Sequence, residues 1–297
     1  MVGLSLVELK KLNPASTTDT VTLTTALGHR ITAFRGDHIA DKIARHGLYE
    51  KDVLELLLAL LRQIPQPVVL DIGANIGNHT LAFATVAAQV HAFEPIPSIY
   101  ALLAQNVLQN RLQNVEVHNF ALSDVKGSDV IYMEQSGNVG ASSFDKRAKG
   151  GEPLTVHKQR GDDVAQIRNL PKLDMVKIDV EAHEVFVLRG LMQTLRKQRP
   201  FITMEWNDPL TVERLAGSPE LQFLYDHYHI LVLGCNHDRV WWQGRPFAFV
   251  RRKFTRHFLP RKAVFYPFDA GKLYDNLLLI PKGREALLTQ LNIPQRS

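Results

Sequence analysis

Residues 68–77 read Val68-Val-Leu-Asp-Ile-Gly-Ala-Asn-Ile-Gly77, and this stretch decides the fold. Its first half, Val68–Ile72, is typical of a buried strand, and a loop with glycine at positions 73 and 77 follows directly. Ligands of parallel α/β sheets bind at the carboxyl ends of strands, and glycine lets a backbone approach a ligand closely. A helix is predicted to begin after Gly77, where its unpaired N–H groups favour a carboxylate. The stretch therefore predicts a ligand site beside the first strand of a parallel sheet.

Strands and helices alternate along the chain after this stretch. Such alternation predicts an α/β domain over residues 65–297, with a mostly parallel sheet and helices on both faces. The predicted strands are Val68–Ile72, Val90–Glu94, Val115–Phe120, Val130–Met133, Leu154–His157, Asp174–Val180, Phe201–Trp206, Ile230–Gly234 and Asn276–Ile280. The predicted helices are Asn78–Ala88, Ser98–Asn110, Asp162–Ile167 and Val185–Gln198. The polar loop Glu134–Gly151 is interpreted as an insertion.

Residues 1–64 are predicted to form an N-terminal extension to this domain. Thr20–Thr25 and Arg30–Phe34 flank a short turn, which is the pattern of a hairpin. Helices are predicted near His38–Arg45 and over Tyr49–Gln63. The second helix is dense in leucine, so we expect it to pack on the core.

The composition is that of a globular protein, with 45% hydrophobic and 22% charged residues. The single cysteine, Cys235, excludes an internal disulfide and a zinc site built from clustered cysteines. The N-terminus lacks a basic lead with a long apolar run after it, and no apolar stretch reaches the roughly 18 residues of a membrane span. The cytoplasm is the expected location.

The positive charge of the chain is concentrated near its C-terminus. The formal net charge is +5, and the segment 238–272 carries nine Lys or Arg residues against two Asp. This basic insertion predicts an acceptor with anionic groups, while a solvated basic surface is the alternative. Within it, Trp241-Trp242, Arg245 and Arg251-Arg-Lys253 could stack on a sugar and hold it, or could form a packed lid.

The glycine loop distinguishes between two classes of cofactor. Dinucleotide enzymes carry Gly-x-Gly-x-x-Gly at this place, whereas this loop has Gly73-x-x-x-Gly77 after Asp71. An acid there would repel a pyrophosphate, but it suits the amino group and sulfonium of S-adenosylmethionine. Glu94 ends the second strand about 20 residues later and can accept two hydrogen bonds from a ribose diol. Taken alone, Glu94 could equally be a surface acid at a strand end.

Several pieces in combination resemble the FkbM family of methyltransferases. They are Asp71–Thr80, Ala92–Pro95, the helix with Asn106 and Asn110, Ala121–Asp124, Val176–Glu184, Leu188–Gly190 and Asn276–Pro281. The resemblance implies a class I methyltransferase fold, a Rossmann-like α/β fold with a seven-stranded, mostly parallel sheet whose last strand is antiparallel. One departure lies at Glu181-Ala-His-Glu184, where the family usually has Glu-Gly-x-Glu, so the turn lacks a glycine.

The same resemblance implies a cofactor site for S-adenosylmethionine. The residues of the glycine loop would surround its methionine part: Asp71, Gly73, Ala74, Asn75 and Gly77. Glu94 would bind the ribose, and Ala121 and Leu122, just after the third strand, would line the adenine pocket. Many family members methylate hydroxyl oxygens of sugars or of polyketide-type products, which implies an O-methyltransferase.

The groups facing the transferred methyl are predicted at the ends of the fourth and fifth strands. Asp179, Glu181 and His183 are the candidate catalytic residues, because an alcohol loses its proton during methyl transfer and these groups can accept it. Most of the acceleration should come from aligning oxygen, methyl and sulfur. Alternatively, Glu184 caps the next helix and His183 is a surface residue. Two or three of these acids, Glu205 included, could instead hold a divalent cation that lowers the pKa of an alcohol.

Three functions remain open on the sequence alone. The favoured one is O-methylation of a hydroxyl on a sugar, a glycan or a small-molecule natural product. The second is methylation of nucleic acid or protein through the basic segment, but the Asn-Pro-Pro-Tyr type motif of base methylation is absent and Met204–Pro209 only vaguely resembles it. The third is cofactor binding without catalysis, since a motif alone does not establish turnover.

Overall fold

The fold is described from a computed structural model, which describes residues 19–132, 153–235, 237, 262–289 and 291. The predicted insertion Glu134–Gly151 lies outside the described residues. So does most of the basic segment 238–272, including Trp241-Trp242, Arg245 and Arg251–Lys253. Among the helices of the described ranges, none is long and apolar enough to cross a membrane.

The N-terminal extension folds as a hairpin followed by two helices. β1 (Thr20–Thr24) pairs antiparallel with β2 (Arg30–Phe34), which confirms the predicted hairpin. Helix α1 (His38–His46) begins after Asp37. The carboxylate of Asp37 accepts hydrogen bonds from the backbone N–H groups of Ile39 and Ala40 in the first turn. Helix α2 (Lys51–Leu61) buries its leucines against the core, as its composition predicted.

The domain that follows contains eleven further strands and eight helices in the described part of the chain. In chain order they are β3 (Val68–Ile72), α3 (Asn78–Phe83), β4 (Gln89–Phe93), α4 (Pro97–Gln109), β5 (Val115–His118), β6 (Ala121–Ser123), β7 (Gly127–Tyr132), β8 (Pro153–Arg160), α5 (Ala165–Arg168), β9 (Met175–Ile178), α6 (Glu184–Gly190), α7 (Met192–Gln198), β10 (Phe201–Trp206), α8 (Pro209–Leu215), α9 (Pro219–His227), β11 (Tyr228–Cys235), β12 (Ala263–Pro267), β13 (Tyr274–Pro281) and α10 (Ala286–Thr289). The short 3₁₀ turn Gly161–Asp163 precedes α5.

The main sheet has the strand order β12-β11-β13-β10-β9-β3-β4-β5. The five neighbouring strands β5, β4, β3, β9 and β10 are parallel. Strand β13 runs antiparallel to both of its neighbours, β10 and β11. This mixed α/β architecture confirms the predicted class I methyltransferase fold, including the antiparallel last strand. The described sheet has one strand more than the seven predicted, because β12, within the predicted basic insertion, pairs with β11 and forms the edge of the sheet.

A small second sheet, of order β6-β8-β7, lies beside the main one. The strand predicted to run to Phe120 ends at His118, and the chain then turns into β6. The single helix predicted over Val185–Gln198 is two helices, α6 and α7. Gly190 ends the first of them, where a Cβ would lie 1.9 Å from the carbonyl oxygen of Ser123 in β6. Close contact with β6 therefore requires a glycine at position 190.

Strand β3 lies at the centre of the main sheet and is buried on both faces. Its residues alternate between two hydrophobic clusters, with Val68, Leu70 and Ile72 in one and Val69 in the other. Asp71 is the polar member of this strand, and its exposed fraction is 0%. The strand therefore carries a buried carboxylate to the edge of the sheet where a ligand was predicted.

Candidate active site

A pocket opens at the carboxyl ends of β3, β4, β9 and β10, where the sequence predicted a ligand site. Nine of the predicted site residues line it: Gly73, Ala74, Asn75, Glu94, Ala121, Leu122, Asp179, Glu181 and His183. Asn78, His79, Lys177 and Glu205 also contribute. The structure thus brings six of the eight predicted cofactor residues and all three predicted catalytic residues to one cavity.

The loop after β3 is held by backbone contacts with the neighbouring strands. Gly73 has φ +77°, and a Cβ at this position would lie 1.7 Å from the carbonyl oxygen of Asp179. The N–H groups of Gly73 and Ala74 both donate to the carbonyl of Phe93 at 3.0 Å. Asn75 also has a left-handed backbone, with φ 51°. Glycine is therefore required at position 73 because another strand end occupies the space of its side chain.

Asp71 and Gly77 are the two predicted cofactor residues that do not line the pocket. The Asp71 Oδ2 accepts a hydrogen bond of 2.6 Å from Thr80 Oγ1, and its Oδ1 lies 3.5 Å from Lys177 Nζ. Gly77 has φ +94° and precedes the first residue of α3. Both residues stabilise the loop without lining the pocket, and their contact with a cofactor stays a prediction.

Glu94 presents a carboxylate suited to a ribose diol. One of its oxygens accepts the N–H of Ile96 at 2.9 Å and the other accepts the N–H of Asn75 at 3.1 Å. A carboxylate has about four acceptor positions, so each oxygen keeps one for a ribose hydroxyl. Burial raises the pKa of Glu94 to about 7, although the two backbone donors oppose this rise. The group can therefore bind a ribose, and its charge changes near neutral pH.

We expect the affinity for S-adenosylhomocysteine to fall about tenfold when the pH is lowered from 8 to 6. The ionised carboxylate of Glu94 accepts both ribose hydrogen bonds, and protonation near pH 7 removes this ionised form. Calorimetric titration across this range measures the effect. Glu94→Gln is the control, since it should bind more weakly at pH 8 and show a flat profile. A wild-type affinity that stays constant from pH 6 to pH 8 would contradict the expectation.

The wall of the pocket that is formed by the second sheet and the end of β4 is apolar and could hold an adenine ring. Ala121 and Leu122 of β6 and Ile131 of β7 line it from the second sheet, and all three are buried. Phe93 and Ile96 line it from the β4 side. Flat apolar surfaces of this kind suit a purine ring, and the contact of Ala121 and Leu122 with adenine stays a prediction.

Lys177 is a buried ammonium between the cofactor loop and the acidic end of the pocket. Its Nζ lies 3.0 Å from Asp179 Oδ2, 3.5 Å from Asp71 Oδ1 and 3.4 Å from the carbonyl of Gly73. Burial by itself lowers the pKa of Lys177, but the charges of Asp179, Asp71 and Glu50 outweigh it and raise the pKa above its ordinary value. Lys177 therefore stays charged, and it joins β3 to the end of β9.

Three carboxyl groups form the polar end of the pocket. Oxygens of Asp179, Glu181 and Glu205 all lie within 4.8 Å of one another. Burial, with the nearby Asp179 and Glu184, raises the pKa of Glu181 to about 8. Burial and the charges of Asp179 and Glu181 also raise the pKa of Glu205 well above its ordinary value. Such a group of acids can share protons, and the same oxygens are of a kind that could hold a divalent cation.

His183 is buried, with an exposed fraction of 4%, so the alternative of a surface histidine is wrong. Its Nε2 lies 3.0 Å from Ser123 Oγ, and its ring contacts that of Phe186. Burial lowers the pKa of His183 to about 4, and Lys158 adds to this effect. The imidazole is therefore neutral at pH 7 but is a weaker base than the carboxylate of Glu181, whose pKa is about 8. Glu184 starts α6 and accepts a hydrogen bond of 2.6 Å from Thr211 Oγ1.

The turn that lacks the family's usual glycine has a left-handed backbone at two successive residues. Glu181 has φ 49° and Ala182 has φ 69°. This conformation costs a residue with a side chain roughly 1–2 kcal/mol. The turn is held from outside, since Arg214 donates a hydrogen bond to the carbonyl of Ala182. Tertiary contacts therefore maintain a left-handed backbone at this turn, which a glycine could adopt without strain.

The N-terminal extension contributes to the pocket, which the sequence did not indicate. His38, Ile39 and Tyr49 line it directly. Asn78 of α3 fixes this wall, because its side chain exchanges hydrogen bonds with the backbone N–H and carbonyl of Tyr49.

The role of Lys177 was also not predicted from the sequence. Its place two residues before Asp179 on one strand puts both side chains on the same face, which is a signal that the sequence contains.

Comparison with known proteins gives several methyltransferases among the relatives of this chain. The hexuronic acid methyltransferase AglP of Haloferax volcanii is 32% identical over 176 residues, covering 58% of this chain and 70% of that protein. The 2-O-methyltransferase NoeI of Sinorhizobium fredii is 28% identical over 169 residues, covering 51% and 68%. Among solved structures, the methyltransferase FkbM of Methylobacillus flagellatus KT is 15% identical with a TM-score of 0.41, covering 72% of this chain and 43% of that one.

The family model described as the methyltransferase FkbM domain matches residues 71–238, which is more than half of the chain. The match begins at Asp71 and includes the glycine loop, Glu94 and the acidic turn from Asp179 to Glu184. The sheet order and the antiparallel β13 agree with it. The chain therefore belongs to the FkbM family and is an S-adenosylmethionine-dependent methyltransferase.

Proposed function

We propose that the protein methylates a hydroxyl oxygen of a sugar, of a glycan or of a small-molecule natural product. The observation that supports this best is the cluster of Asp179, Glu181 and Glu205 at the polar end of the pocket. When bound, S-adenosylmethionine supplies an activated methyl group on its sulfonium. The chain itself has to orient the acceptor oxygen and remove its proton, and a group of carboxyls suits both tasks.

Within this cluster, Asp179 and Glu181 have different roles in the proposal. Asp179 is held by the Lys177 ammonium at 3.0 Å and orients the acceptor hydroxyl. Glu181 has its pKa raised to about 8, so it lies near the working pH range in which a general base is effective. His183 remains a candidate base, but its pKa of about 4 makes proton transfer to it less favourable.

The charge of the pocket favours a neutral hydroxyl over an anionic reacting group. Among the described residues that line the pocket, Lys177 is the one lysine or arginine, and it already faces Asp71 and Asp179. A carboxylate acceptor would add a further acid to a cluster in which crowding already raises the pKa of Glu181 and Glu205, so its charged form is disfavoured there. If the acceptor carries anionic groups, as the basic segment 238–272 predicted, they bind away from this cluster.

The names of two relatives support this class of acceptor. They describe a hexuronic acid methyltransferase, which names a sugar acid, and a 2-O-methyltransferase, which names an oxygen. The test is transfer of labelled methyl from S-adenosylmethionine to p-nitrophenyl glycosides of neutral hexoses and of hexuronic acids. Ethers formed on hydroxyls survive mild alkali, whereas methyl esters on carboxylates do not. Alkali-stable label supports the proposal, and transfer confined to RNA, to protein or to carboxylates contradicts it.

Asp179→Asn should lower kcat on an accepted glycoside by about 10²-fold, because a positioned group that assists proton transfer contributes that much or more. The affinity for S-adenosylhomocysteine should change by less than about threefold, because the effect falls on the transition state. Single-turnover rates and calorimetry measure the two separately.

The matched control is Asp208→Asn, which removes a nearby carboxylate that does not line the pocket and keeps a residue able to cap α8. It should keep wild-type turnover. If Asp179→Asn also keeps it, Asp179 is structural and Glu181 becomes the preferred acid to test. Adding EDTA to the same assay tests the divalent cation, since loss of activity restored by Mg²⁺ would assign the three carboxyls to a metal.

A further inference from the structure

A second group of ligating side chains lies outside the pocket, between β4 and β5. His91 belongs to β4, while Glu116 and His118 belong to β5. The parallel register places His91 opposite Glu116, and His118 is two residues further along β5. Because alternate residues of a strand share a face, the three side chains meet on one face of the sheet. Their ring nitrogens and a carboxylate oxygen all lie within 4.8 Å of one another.

The distances in this cluster are long for hydrogen bonds. The His91 Nδ1 lies 3.3 Å from His118 Nε2, and Glu116 oxygens lie 3.6 Å from the first nitrogen and 3.9 Å from the second. Well-formed hydrogen bonds between such atoms span about 2.7–3.2 Å. Two imidazole nitrogens, each roughly 2.0–2.1 Å from one tetrahedral zinc ion, would be about 3.3–3.4 Å apart. The spacing therefore fits three ligands that share an ion better than it fits a direct network.

Burial and ring packing hold the two histidines in place. Both side chains are buried, so their positions are fixed by the surrounding sheet. Phe93 stacks on His118 at 4.5 Å between ring centroids and fixes its orientation. The His91 Nε2 has no hydrogen-bond partner among the described residues, so Nδ1 carries this ring's polar contacts there.

We propose that His91, Glu116 and His118 form a binding site for Zn²⁺ or a similar divalent transition metal. Imidazole nitrogen with one carboxylate is a donor set that zinc accepts, whereas Mg²⁺ and Ca²⁺ prefer oxygen alone. The side chain of Glu116 is 47% exposed, so an ion can enter from solvent on that side. The ion would join the edge strand β5 to β4. None of the three residues lines the pocket, so the site is separate from the methyl-transfer chemistry.

The test is a zinc titration of chelator-treated, desalted protein in competition with a chromogenic chelator. We expect one equivalent of tightly bound Zn²⁺ per chain, and with Co²⁺ the intense visible absorption of a four-coordinate site with nitrogen ligands. Glu116→Gln should weaken zinc affinity at least about tenfold, since loss of an outer-shell partner alone costs 10–100-fold. Zinc should raise the Tm of the wild type and raise that of Glu116→Gln less.

The matched control is Glu285→Gln, because Glu285 is also an exposed glutamate beside a histidine, with Oε1 2.8 Å from His229 Nε2. It should bind zinc as the wild type does. Glu116 is exposed, so its variant is expected to fold, and circular dichroism checks this. The proposal is overturned if the wild type binds no stoichiometric zinc, or if Glu116→Gln binds it equally well. It is also overturned if Glu205→Gln abolishes zinc binding, because the ion would then belong to the pocket acids.

Discussion

Lys177→Met is expected to lower the free energy of unfolding by about 3–5 kcal/mol, which is the usual effect of removing one partner from a buried ion pair. The Asp71 carboxylate would remain fully buried, with Thr80 as its remaining hydrogen-bond donor among the described residues. Asp179 would lose the ammonium that lies 3.0 Å from it. Urea unfolding at pH 7.5 measures the loss, and turnover should fall with it because Asp179 is no longer held.

A second variant separates charge from packing. Asp71→Asn combined with Lys177→Met removes both buried charges, so it should recover part of the stability lost in the single variant. Lys272→Met is the exposed control, since Lys272 and Asp269 form a surface ion pair, and it should leave the unfolding midpoint unchanged. A cost below about 1 kcal/mol for Lys177→Met would show that the buried ammonium is not needed to balance Asp71.

Gly73→Ala is expected to destabilise the fold by more than about 3 kcal/mol and to weaken cofactor binding at least about 10²-fold. The added Cβ would lie 1.7 Å from the carbonyl oxygen of Asp179, which is backbone and cannot move without shifting the end of β9. The left-handed φ of +77° adds strain of its own. Urea unfolding and calorimetry with S-adenosylhomocysteine measure the two effects.

Gly217→Ala measures the cost of the left-handed backbone alone, without steric crowding. Gly217 also has a left-handed φ, +68°, but nothing lies within 4 Å of a Cβ built there. Its variant should cost only the conformational strain, roughly 1–2 kcal/mol, and should bind the cofactor normally. If Gly73→Ala costs no more than Gly217→Ala, the crowding against Asp179 is not what requires glycine in the loop.

Hydrophobic patterning predicted the sheet closely where strands are fully buried. Val68–Ile72 and Phe201–Trp206 have the same bounds in prediction and structure. Agreement is poorer for helices, whose ends depend on contacts from elsewhere in the fold. The helix predicted to reach Ala88 ends at Phe83, and the side-chain amide of Asn114 then takes the carbonyls of Ala84 and Ala87. A pattern of apolar residues contains no information about such a partner.

The cofactor side of the site was predictable because its residues are close in sequence to strand ends. Glycine, asparagine and acid positions at fixed distances after β3 and β4 indicated S-adenosylmethionine before any geometry was known. The catalytic side was predicted less completely. Asp179, Glu181 and His183 do line the pocket, but burial sets the pKa of Glu181 and that of His183, and it makes Glu181 the stronger base of these two.

The sequence by itself determined the parallel sheet, the order of the glycine loop and Glu94, and the class of cofactor. These follow from periodicity and short spacings, which are local properties of the chain. Only the tertiary structure decided that Lys177 lies between Asp71 and Asp179, that Tyr49 lines the pocket, and that the turn at Ala182 holds a left-handed backbone. Their physical reason is burial and crowding by distant segments, because the energies of a buried charge and of a strained turn depend on what surrounds them.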